Sequence, residues 1–144
     1  MENSDTRKLL QECDAGAKMA VTSIDEVQEK VCDSDMKYLL QESKKHHEKL
    51  GNEIHSLLDR CDTDEKDPSP MAKGMSWLKT NMKLGMDNSD ATVADLITDG
   101  CNMGIKSLNK YLNEYEQADS SAKRLCKELT DIEEQLCTKL ERYL

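Results

Sequence analysis

The histidines are the residues in this sequence best suited to metal or proton chemistry. His46, His47 and His55 fall within one segment of helical periodicity. A carboxylate-bridged di-iron site in a helix bundle requires Glu-x-x-His on two helices, because residues three apart share a helix face. None of the three histidines has a glutamate three positions before it, and no other helix carries a histidine. The sequence therefore lacks the ligand set of such a site.

His47 is the histidine that falls on a predicted apolar stripe. Counting from the helix midpoints places Ala20, His47, Gly104 and either Ile132 or Glu133 near one level of a bundle, where the two small residues leave room for an imidazole. In one interpretation, His47, Glu133 and Glu48 bind iron or another divalent metal, or move a proton. In the other, His47 is a polar core residue that fixes helix register. We favour the second, because buried polar groups usually have a hydrogen-bond partner and no further role.

Six cysteines are scattered along the chain without a Cys-x-x-Cys pair: Cys13, Cys32, Cys61, Cys101, Cys126 and Cys137. Structural zinc sites need closely spaced ligand pairs. Several of the cysteines fall on apolar stripes, where a thiol acts as a small hydrophobic group. We therefore expect buried, reduced thiols.

The segment 71–86 stands out by its composition. It holds three lysines, no acidic residue, the single tryptophan and half of the methionines, in a chain of net charge −9. Basic amphipathic helices with methionine-rich faces suit adaptable binding surfaces. The predicted interaction residues are Met75, Trp77, Leu78, Lys79 and Met82. The same spacing also fits a helix that closes one end of a bundle.

The elements that must position these residues are helices, because apolar residues recur at alternating steps of three and four along most of the chain. Short polar turns separate the helices at residues 32–35, 88–90 and 119–121. Residues 62–70 contain both prolines and form the clearest linker. The pattern predicts an all-α fold: an antiparallel four-helix bundle with a short extra helix in its long central crossover. Residues 1–144 form one domain in this prediction.

Composition excludes several classes of partner. The net charge of −9 disfavours nucleic acid, whose phosphates it repels. The first residues lack the basic and apolar regions of a signal peptide, and no stretch approaches the roughly 18 apolar residues of a membrane span. We therefore expect a cytoplasmic protein without a transmembrane segment.

Several loose motifs carry a family resemblance, and they are spread over most of the chain: Leu9–Leu10, Asp14–Gly16, Glu42, Gly74–Lys79, Gly100 and Tyr111–Leu112. On these residues the chain resembles bacterial ferritin-like four-helix-bundle proteins of unknown function. The resemblance implies the four-helix fold. Related families often carry a glutamate where this chain has Gly104, so the resemblance does not extend to di-iron chemistry.

Two functions follow as hypotheses. The first is a non-enzymatic bundle without a cofactor, which acts through protein interaction or self-association and could form a homodimer. The alternative is an atypical ferritin-like metal-binding or redox protein that uses His47, Glu48 and Glu133. No nucleophile elbow or phosphate-binding glycine loop favours an enzyme.

Overall fold

The computed structural model describes residues 4–61 and 89–144, and within these ranges the chain is helical with no β-strand. The elements are α1 (Ser4–Gln28), α2 (Ser34–Asp59), α3 (Asp90–Glu114), α4 (Ser120–Leu140) and a final 3₁₀ turn (Glu141–Tyr143). The all-α prediction is confirmed, and the four helices are consistent with a bundle. The predicted linker 62–70 and short helix 71–86 lie outside the described residues. No helix in the described ranges has the length and apolar character needed to cross a membrane.

Three of the four helices begin at a side chain that caps them. The capping residues are Asp33, Ser89 and Asp119, and each accepts a hydrogen bond from a backbone N–H in the first turn of the following helix. Such a bond satisfies one of the N–H groups that a helix start leaves unpaired. Short polar side chains at these positions are the signal by which the sequence predicted the turns.

Side chains also tie the ends of different helices together. The carboxylate of Asp90, at the start of α3, accepts backbone N–H bonds from Cys32 and Asp33 in the α1–α2 turn at 2.8 and 2.9 Å. At another junction, the N–H of Asp119 donates to Oγ1 of Thr6 at 2.8 Å. The start of α3 therefore lies beside the end of α1, and the start of α4 lies beside the start of α1.

The buried apolar side chains form two clusters stacked along the helices. The first core cluster contains Leu9, Leu10, Cys13, Ala17, Leu50, Ile54, Leu108, Tyr111, Ala118, Ala122, Leu125, Cys126 and Leu129. The second core cluster contains Ile24, Val27, Val31, Met36, Leu40, Val93, Ala94, Ile97, Cys101, Leu136 and Leu140. Along α2 and α4, the buried residues between the two sets are polar: Ser43, His47, Thr130 and Glu133. We call Ser43, His47 and Glu133, which are joined by hydrogen bonds, the polar layer.

Candidate functional site

The polar layer is centred on a fully buried histidine. Nδ1 of His47 lies 2.7 Å from the carbonyl oxygen of Ser43, and Nε2 lies 3.2 Å from Oε1 of Glu133. A carbonyl oxygen can only accept, so Nδ1–H is the donor to Ser43 and Nε2 faces the carboxylate. Both ring nitrogens therefore have partners inside the protein. The exposed fraction is 0% for His47 and 6% for Glu133.

Small residues make room for the carboxylate rather than for the imidazole. A Cβ added at Gly104 would lie 3.7 Å from both Cδ and Oε1 of Glu133. Ala20 lines a cavity together with Glu133. The sequence correctly predicted that these residues and His47 meet at one level. It assigned the space at Gly104 to the imidazole, whereas the structure places the Glu133 side chain there.

The environment of His47 favours its charged form. Burial lowers the pKa of His47, because a low-dielectric interior penalises an imidazolium ion. The hydrogen bond and charge of Glu133, with the carbonyl of Ser43, outweigh burial, and the pKa of His47 is raised above its ordinary value of 6.5. When the imidazole is protonated, Nε2–H donates to Glu133 and the two side chains form an ion pair. Such a pair can fix helix register or store a proton at Nε2.

Glu48, the third predicted ligand, follows His47 on α2 but makes no bond to this pair. It is exposed and lines a solvent-open depression between α1 and α2, together with His47, Asp14 and His55. Across residues 4–61 and 89–144, no hydrogen bond or ion pair joins it to His47 or Glu133, and no group of three or more His, Cys, Asp or Glu side chains is arranged to hold a metal ion. The structure brings His47 and Glu133 together without Glu48.

A cavity of about 40 Å³ lies beside the carboxylate, between α1 and α3. Its lining is Met19, Ala20, Ser23, Ile24, Leu96, Ile97, Gly100, Cys101, Met103, Glu133 and Leu136. A Cβ added at Gly100 would meet nothing within 4 Å. Sequence reasoning missed this cavity, although a glycine on a helix face was the available signal.

Two pairs of thiols face each other across neighbouring helices. Cys13 of α1 lies beside Cys126 of α4, and Cys101 of α3 beside Cys137 of α4, close enough for each thiol to shift the pKa of the other. The predicted burial is confirmed for Cys13, Cys101 and Cys126, whereas Cys61 and Cys137 are half-buried and Cys32 is exposed. The pairing escaped sequence reasoning, because the partners are far apart in the chain.

A second carboxylate is buried at the α1–α3 contact. Burial raises the pKa of Glu12, and the hydroxyl of Tyr111, which donates a hydrogen bond to this carboxylate, partly offsets the shift. The pKa of Tyr111 is raised well above its ordinary value, first by burial and then by Glu12. Burial thus raises the pKa of both groups. The sequence analysis did not single out Glu12.

The predicted interaction residues Met75, Trp77, Leu78, Lys79 and Met82 lie outside the described residues. In comparisons with known proteins, no family model, no curated protein and no solved structure matches the chain at a significant level.

Proposed function

We propose that this protein is a non-enzymatic helical bundle that acts through self-association. The observation that carries the proposal is the closed hydrogen bonding of the polar layer. His47 is the most buried ionisable side chain at the level where a bundle would hold a cofactor, yet Ser43 and Glu133 occupy both of its ring nitrogens. This pairing supports a structural role for His47 in the core. The proposed function therefore lies on the protein surface.

A ferritin-like, antiparallel arrangement with one overhand connection is part of the proposal. Its support is the position of the helix ends: α3 starts beside the α1–α2 turn, and α4 starts beside the first turn of α1. Near the end of α2, His55 lies 3.7 Å from Asp14 in the first half of α1. The end of α2 and the start of α3 are therefore at opposite ends of the bundle, as an overhand connection requires.

The sequence assigns the interacting surface to the segment 71–86, with its net charge of +3 in a chain of net charge −9. A second copy of the chain supplies complementary acidic surface. Charge-driven contacts between exposed groups weaken as salt screens them. Light scattering across a concentration series, at low and high salt, should show association that salt reduces. A cytoplasmic location also belongs to this proposal.

Trp77→Ala is the informative variant, because tryptophan is a frequent anchor of protein interfaces. We expect it to weaken association and leave urea unfolding nearly unchanged. Tyr38→Ala is the matched control, since Tyr38 is an aromatic residue of α2 with 64% of its surface exposed. A large stability loss without any change in association would assign Trp77 to the core instead.

Metal binding is tested separately. The protein is loaded with Fe²⁺ without oxygen, desalted and measured by mass spectrometry, beside a His47→Leu variant. We expect the two proteins to retain iron equally. Stoichiometric iron in the wild type that disappears in the variant would establish the metal-binding alternative and contradict our proposal.

A further inference from the structure

The sulfur of Cys137 lies against the turn of α3 that carries Cys101. Sγ of Cys137 is 3.8 Å from the carbonyl oxygen of Thr98 and 3.7 Å from Oδ1 of Asn102. Thr98 lies about one turn before Cys101, and Asn102 directly follows it. The shift that each of the two thiols causes in the pKa of the other fits this position. Sγ of Cys137 therefore contacts residues that lie before and after Cys101 in α3.

The register of α3 against α4 supports the same pairing. Gly104 of α3 lies opposite Glu133 of α4. Cys101 is three residues before Gly104 and Cys137 is four residues after Glu133, so each lies one helical turn from that contact. The Glu133 side chain fills the space that a side chain at Gly104 would take, and this contact fixes the register of the two helices. Disulfide formation needs Cβ atoms about 3.5–4.5 Å apart, so the two cysteines must lie at one level, where this register places them.

The two thiols differ in access and acidity. Cys101 is buried and Cys137 is half-buried. The neighbouring Cys101 thiol lowers the pKa of Cys137, against the opposing effects of burial and nearby glutamates. The pKa of Cys101 is raised by Cys137, by burial and by Glu133. An accessible thiol of lower pKa beside a second thiol is the arrangement that oxidation selects.

We propose that Cys137 and Cys101 form a reversible disulfide between α3 and α4, and that a hydroperoxide oxidises Cys137 first. The Cys137 thiolate attacks the peroxide oxygen, the O–O bond breaks, and Cys137 becomes a sulfenic acid with release of water or an alcohol. Cys101 then attacks this sulfur. The S–O bond breaks, hydroxide leaves with the proton of Cys101 as water, and the S–S bond forms. Two thiols lose two electrons, and the hydroperoxide accepts them.

The pair Cys13 and Cys126 is an internal control. Its thiols also lie beside each other, but both residues are 0% exposed in the first core cluster. A hydroperoxide has no path to either sulfur without local opening of the core. The proposal therefore predicts oxidation of one facing pair and not of the other.

Trypsin separates the six cysteines into six peptides, with Cys101 in residues 84–106 and Cys137 in residues 128–139. The reduced full-length protein is treated with one equivalent of hydrogen peroxide, alkylated and digested without reductant. We expect a cross-link between these two peptides, loss of two free thiols per chain and complete recovery with dithiothreitol. Peptides 9–18 and 125–127, which carry Cys13 and Cys126, should stay alkylated.

The order of the two steps is tested with Cys101→Ser. Without its partner thiol, the Cys137 sulfenic acid should accumulate and react with dimedone on peptide 128–139. In Cys137→Ser, peptide 84–106 should gain no dimedone. A cross-link between Cys13 and Cys126, or an unreacted Cys101–Cys137 pair while the exposed Cys32 is oxidised, would overturn the proposal. The wild-type digest decides this even if a variant fails to fold.

Discussion

The two core clusters are built from the same four helices but differ in the access that their facing thiol pairs have to solvent. In the first core cluster, Cys13 and Cys126 are both 0% exposed. The second core cluster borders the cavity of about 40 Å³ and packs against the half-buried Cys137. Each cluster contains or contacts one facing thiol pair. We therefore expect peroxide to oxidise the thiol pair beside the second core cluster and to leave the pair in the first core cluster reduced.

The difference arises mainly on α3. Next to the second core cluster, α3 presents Gly100 and Gly104; Gly100 lines the cavity beside Glu133, and Gly104 lies against the Glu133 side chain. In the first core cluster, the same helix contributes Leu108 and Tyr111. Thus α3 carries large side chains in the first core cluster and glycines beside the second. The comparison shows how local residue size separates a sealed region from an accessible one.

The largest expected effect is a difference between two leucines of α4. Leu129→Ala in the first core cluster should destabilise the fold by about 3–5 kcal/mol, because the truncation leaves a closed cavity. Leu136→Ala should cost only about 2–3 kcal/mol, since Leu136 already lines an open cavity whose walls can relax. Urea unfolding of both variants measures the difference.

The two substitutions are matched in helix, residue type and burial, since the leucines are 0% and 3% exposed. Equal losses of stability would show that the second core cluster is packed as tightly as the first. The comparison between the two clusters would then fail.

The ion pair between the clusters gives the next effect. Glu133→Leu should cost about 1–3 kcal/mol, because His47 loses the partner of Nε2 in a fully buried position. The double variant His47→Leu with Glu133→Leu should lose less than the sum of the single variants, since neither group is then left buried without its partner. A double-mutant cycle by urea unfolding measures the coupling. Strict additivity would contradict a direct interaction.

The pH dependence of stability tests the charge state of the same pair. The pKa of His47 is raised in the folded state, so its stabilising effect is complete below the ordinary value of 6.5. That contribution decreases as the pH rises through the folded-state pKa. The groups that face the ring are Glu133 and Ser43.

The measurement is the unfolding free energy of the wild type minus that of His47→Gln, from mildly acidic to alkaline pH. All other ionisable groups are common to both proteins, and their contributions cancel in the difference. The difference should shrink towards alkaline pH. A difference that grows with pH would mean that His47 is held neutral.

The spacing of apolar residues predicted the four helices of the described ranges, because each helix buries one apolar stripe. The short polar side chains at Asp33, Ser89 and Asp119 marked three of the helix starts. The spacing also predicted that His47 and Glu133 share one level of the fold. Periodicity could not decide which of two neighbours on α4 turns inwards, and the structure buries Glu133 while Ile132 is half-buried.

The cavity and the thiol pairs were beyond sequence reasoning for a different reason. They depend on the rotation of each helix about its axis and on its register with its neighbours. The spacing of apolar residues limits these only to within a fraction of a turn. Cys101 and Cys137 meet because Gly104 lies against Glu133, a contact that neither helix specifies alone.

The smallest expected effect compares one glycine from each end of the bundle. Gly100→Ala should stabilise the protein by about 0.5–1 kcal/mol, the usual gain in helix propensity, because its Cβ would meet nothing within 4 Å. Gly51→Ala should gain less, since its Cβ would lie 3.4 Å from Cβ of Ala17 in the first core cluster. Thermal unfolding of the two variants measures the difference, and the propensity gain is common to both. A larger gain at Gly51 would mean that the closed region has spare room, and the contrast between the two clusters would then lie in solvent access and not in packing.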